Sequence, residues 1–124
     1  ATLVPMQLIA TSNTEYYGDA VPRMLDLVLA GHHEAAMELF WQINPARVAN
    51  RNTAVTVQTG HFINRMAWKS QAWLSGYNGG PLRLPTNKIV PHEMAAFRRG
   101  LEASGLPVTA DPDELFHVGR HPTS

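Results

Sequence analysis

The run Leu74-Ser75-Gly76-Tyr77-Asn78-Gly79-Gly80-Pro81-Leu82-Arg83-Leu84-Pro85 limits the fold more than any other part of this sequence. Glycine reaches left-handed backbone conformations that stop a helix, and proline cannot continue a helix or occupy a central strand. A helical pattern running into Gly76 must therefore end there, cross an Asn78-Gly79-Gly80 turn, and restart only at Pro91. Two long helices joined by a specified corner are the consequence.

The 124 residues, 44% of them apolar, suit one globular domain with a single core. Ten basic residues balance ten acidic ones, so no net field draws the chain to nucleic acid or to an anionic membrane, and neither is expected as a partner. The absence of cysteine excludes a disulfide framework, thiolate catalysis and Cys-based metal sites, and fits a reducing compartment, which makes the cytoplasm the expected location. The most apolar stretch, Val21 to Ala30, contains Pro22, Arg23 and Asp26, whereas a membrane span needs about 20 apolar residues. The first residues lack a basic region ahead of the apolar run, so no secretory signal is expected.

Helical spacing governs the remainder. Leu3 to Ala10 is a short apolar run that reads as an N-terminal strand, which Pro5 restricts to an edge or to a strand start. Asp19 is placed to cap a helix with Pro22 in its first turn, and Val21, Met24, Leu25, Val28 and Leu29 recur on one face before Gly31. A second helix follows, with Ala36, Leu39, Phe40 and Ile43 in a stripe. The short connection predicts antiparallel packing of the two, and Pro45 predicts a kink or break at Asn44 before helix resumes over residues 46–58. A third helix over 61–75 carries Phe62, Ile63, Met66, Ala67, Ser70, Trp73 and Leu74. The last runs from Pro91 to about Ser104 with Met94, Phe97 and Leu101, and ends at Gly105 with Leu106 placed for an apolar contact. Residues 1–106 thus form a mainly α bundle of four to five helices with one short strand, and 107–124 a tail. In that tail Asp111-Pro112-Asp113-Glu114 starts a helical turn, Leu115-Phe116 serves as an anchor, and fraying sets in beyond Gly119.

The order of these pieces resembles the C-terminal region of the dihydrodipicolinate synthase and N-acetylneuraminate lyase family, class I pyruvate aldolases. The residues that carry the resemblance are Ala10-Thr11-Ser12-Asn13 at a strand end, Ala30-Gly31-His32 with Ala35-Ala36 at a helix–helix turn, Lys69 in the third helix, and Gly79-Gly80-Pro81-Leu82-Arg83-Leu84-Pro85 at the corner. The resemblance implies helices that coat a (β/α)₈ barrel, an architecture of about 250 residues. It also implies that Leu8 and Ala10 would line the substrate pocket, provided that the remaining barrel were supplied. The family's Schiff-base lysine, proton-relay tyrosine and carboxylate-binding loop have no counterpart here. The chain is therefore read as a lyase-family segment that is not catalytic alone, with no cofactor of its own.

Other chemistry-bearing residues have plainer explanations. A Schiff-base lysine must lose its proton by desolvation or beside another cation. Of the two lysines, Lys69 lies between Arg65 and Trp73 on the third helix and reads as a solvated or stacked cation, and Lys88 reads as an exposed loop residue. His32 and His33 with Glu34 and Glu38 suggest a metal site, yet adjacent histidines face different sides of a helix and acids suit a helix N-terminus. His117 and His121 are spaced like helical zinc ligands, but Gly119 and Pro122 oppose a helix there. Asp111, Asp113 and Glu114 read as a capped turn, and Tyr16, Tyr17, Trp41, Trp68 and Trp73 as packing residues; no metal is expected.

A barrel's coat without its strands leaves apolar faces around Leu25, Phe40, Ile63 and Trp73 uncovered, and soluble chains rarely expose large apolar patches. The expected remedy is a homo-oligomer of helices, or docking onto a complementary chain that carries the missing strands. A stand-alone helical self-association module derived from such an enzyme is the alternative reading.

Overall fold

A computed structural model describes residues 15–53, 65–80, 82–83 and 88–118. Four α-helices are present among them: α1 (Ala20–Leu29), α2 (His33–Arg51), α3 (Arg65–Leu74) and α4 (Pro91–Ala103). A 3₁₀ turn at Glu15–Tyr17 precedes them and a 3₁₀ helix at Asp113–His117 follows. The mainly α bundle is as the apolar spacing predicts. The expected N-terminal strand, residues 54–58 of the second helical stretch and residues 61–64 of the third lie outside the described residues.

Glycines end α1, α3 and α4 through the same device. At the end of α1, His32 N–H donates to Leu27 O at 2.8 Å and Gly31 N–H to Val28 O at 3.1 Å, while Gly31 takes a φ of 82°. This is a Schellman turn, which satisfies carbonyls that the helix leaves without partners. Leu106 and Gly105 repeat it on Leu101 and Glu102 after α4, and Tyr77 and Gly76 repeat it on Ala72 and Trp73 after α3. The N-termini are less regular. Asp19 stands at the N-cap of α1, but with φ −90° and ψ 5° its carboxylate makes no capping bond and instead lies 3.8 Å from Arg23, one turn on. Val90 precedes α4 with Pro91 at the first helical position, and the Glu93 carboxylate accepts the Val90 N–H at 3.2 Å. Valine offers no side-chain acceptor, so only this half of a capping box forms.

Of the kink or break predicted at Pro45, the break does not occur; α2 continues through the proline to Arg51. Its surroundings explain why. A proline inside a helix removes one N–H and disturbs the neighbouring backbone bonds. Here Ser104 Oγ accepts the Ala46 N–H at 3.1 Å while donating to Gly100 O at 2.8 Å. Gln71 Nε2 donates to Ala46 O at 2.9 Å, and Asn50 Nδ2 donates to Gln71 Oε1 at 2.6 Å. Side chains from α3 and α4 thus attend to backbone groups beside the proline. Gly100 makes the approach of α4 possible, since a Cβ there would stand 3.0 Å from both Ala49 Cβ and Pro45 O.

α2 packs against both α1 and α4, α3 packs against α4, and the first 3₁₀ turn rests on α3. The core runs from Tyr16 and Tyr17 through Ile43, Ala46, Met66, Trp73 and Leu74 to Met94, Phe97, Leu101 and Phe116. α3 is buried at every position from Ser70 to Leu74.

Candidate functional site

Residues proposed from sequence scatter rather than converge. Leu8, Ala10, His121 and Ile63 lie outside the described residues. Lys69 is half-buried on α3 and Lys88 is exposed. Among the described residues no three His, Cys, Asp or Glu side chains gather as a metal site would require. Asp113 forms an ion pair with Arg98, whose guanidinium also donates to Thr109 O at 2.6 Å and Asp111 O at 3.2 Å. That cation ties the segment after α4 back onto the helix.

Trp73 is not on an open face. It is 0% exposed, and Phe116 meets it edge-on with ring centroids 5.8 Å apart. The corner closes over it because Gly79 has no side chain: a Cβ there would overlap the indole ring. Gly80 N–H donates to Phe116 O, and Thr109 N–H to Leu74 O, which fixes the roof. Of the predicted Leu115-Phe116 anchor, Phe116 is buried and Leu115 is exposed.

Tyr16 and Tyr17 pack at 4.4 Å between ring centroids, and their hydroxyls are hydrogen-bonded to each other. Burial pushes both phenols above their ordinary range; Arg47 and, for Tyr17, the bond from Tyr16 partly oppose the shift. A shallow groove of about 180 Å³ lies beside the start of α4, floored by Ile89, Val90 and Met94 and rimmed by Asp113, Glu114 and His117. Its Asp113 is already engaged by Arg98.

The outer face of α2 differs from all of these. Trp41 is 61% exposed, Met37 49% and Val48 41%. At 100° per residue these three fall within one narrow stripe, opposite the buried Ala36, Ile43 and Ala46. Phe40 lies beside them, half-buried, with its ring 5.2 Å from Trp41 and the Arg47 guanidinium 4.4 Å above it. Trp41 therefore does not pack in the core. The signal was legible as a second apolar series, Met37, Trp41 and Val48, alongside the Ala36, Leu39, Phe40, Ile43 series that faces inward.

Comparison with protein-family models, with curated proteins and with solved structures finds no match to this chain.

Proposed function

We propose that this chain is a non-catalytic helical interaction module whose working surface is the outer face of α2. The observation that carries the reading is the exposed Met37–Trp41–Val48 stripe on a helix whose opposite face is firmly packed. A large aromatic in water gives up the hydrophobic free energy that burial would return, and aromatic and Met residues are the side chains that protein interfaces favour. The remaining large aromatics near the centre, Trp73, Phe97 and Phe116, are spent on holding the scaffold together.

Hydrophobic-interaction chromatography of the folded chain tests this reading. Trp41→Glu should elute markedly earlier than the parent, with unchanged helicity and thermal midpoint. Coincident elution would remove α2 as the working surface.

The aldolase resemblance supports a second reading, in which the same helices are scaffold from a pyruvate-dependent lyase and pair with a chain that carries the strands. The helix pair turning at Gly31 and the glycine-rich corner after α3 favour it. In either reading, incubation with pyruvate and borohydride should leave the mass of the chain unchanged, and an adduct on Lys69 or Lys88 would overturn the non-catalytic assignment.

A further inference from the structure

We infer that the occupant of the α2 face is a second copy of this chain, with the two α2 helices antiparallel about a two-fold axis level with the Gln42–Ile43 peptide. The inference rests on the reading of α2 as the working surface and adds its partner and register. The sequence of the face is complementary to its own reverse. About that midpoint Met37 is placed symmetrically with Val48, Trp41 with Asn44, and Glu34 with Arg51. Glu38 and Arg47 fall at matching levels in the same register. A two-fold axis perpendicular to an antiparallel helix pair brings each residue level with the one placed at the mirrored distance from the midpoint on the partner, so one register seats Met37 against Val48 and Glu34 against Arg51 twice over.

Exposure agrees with this placement. Glu34 and Arg51 are exposed, as are Met37, Trp41 and Val48, and Asn44 is half-buried. Neither Glu34 nor Arg51 forms a salt bridge with another residue among those described. The acidic half of α2 lies toward its N-terminus and the basic half toward its C-terminus, so a parallel pairing would set like charges level with each other and is disfavoured. An acidic or a basic partner of another kind would satisfy only half of the face. The patch is one helix wide, which suits a weak dimer in a concentration-dependent equilibrium rather than a permanent one.

The chain has no cysteine, so engineered thiols report the register without background. Met37→Cys combined with Val48→Cys should give a reducible dimer on mild oxidation, while either single variant should not. In the proposed register two copies of position 37 stand about 16 Å apart along the helix direction, beyond the reach of a disulfide. Sedimentation equilibrium should show Glu34→Arg weakening the dimer about tenfold, Arg51→Glu doing the same, and the two together restoring it. A parent chain that stays monomeric at millimolar concentration, cross-linking by a single variant as efficient as by the pair, or failure of the charge swap to restore association would each overturn the inference. If the Trp41→Glu variant still elutes early in chromatography while no dimer forms, the α2 surface stands and its partner is a different protein.

Discussion

Tyr16 and Tyr17 are held in the core by each other and by α3, and the consequence shows in alkali. Their phenols are pushed up from the ordinary value of 10.0 chiefly by burial. The unfolded chain therefore releases these protons first, and stability from this source is complete below about pH 10 and falls as pH rises above it. Denaturant midpoints should decline between pH 10 and pH 11 in the parent and decline less when both tyrosines are replaced by Phe. Equal slopes in the two proteins would show that other groups control the alkaline limit. Single residues were unevenly legible in the sequence. Phe97, Leu101 and Trp73 stand out by periodicity, but Gly100 and Gln71 do not, because their roles are set by an incoming helix rather than by their neighbours in the chain.

At the scale of the element, α2 shows what local rules miss. Pro45 argues for a break, and read alone it is a sound argument, since an interior proline costs about 3 kcal/mol. The helix persists because Ser104 reaches the Ala46 N–H and α4 lies close enough, across Gly100, to deliver it. The two residues should therefore be coupled. Ser104→Ala should destabilise the parent by about 1–3 kcal/mol through loss of the buried bonds that its hydroxyl makes to the Ala46 amide and Gly100 O, and clearly less in a Pro45→Ala background, where α2 regains the N–H at position 45 and depends less on its neighbours. A thermodynamic cycle from urea unfolding measures the difference, and strict additivity would refute the coupling. The glycine stops at Gly31 and Gly105 were legible in advance because a Schellman turn is written within a few consecutive residues. The inward stripe of α2 was legible too, whereas its outward stripe was absorbed into the general expectation that tryptophans pack.

For the molecule as a whole, the sequence pattern conveyed a helical bundle but not how its ends are fastened. The segment after α4 returns to α3 through Thr109 and Phe116 and is tied to α4 by Arg98, contacts that no local period encodes. Phe116 should thus behave as a core residue and its neighbour Leu115 as a surface one. Phe116→Ala should cost about 3–5 kcal/mol and Leu115→Ala less than about 1, measured by thermal or chemical unfolding. Comparable losses at both positions would mean that the 3₁₀ helix, rather than the aromatic contact, fastens the segment.

The roof over Trp73 also sets a timetable. Because Phe116 lies above an indole more than forty positions earlier in the chain, a nascent polypeptide leaving the ribosome carries that indole uncovered until the last of its clamp has emerged. The centre can close only after Phe116 has been synthesised and released, so the contact that completes the core is among the last the chain can make.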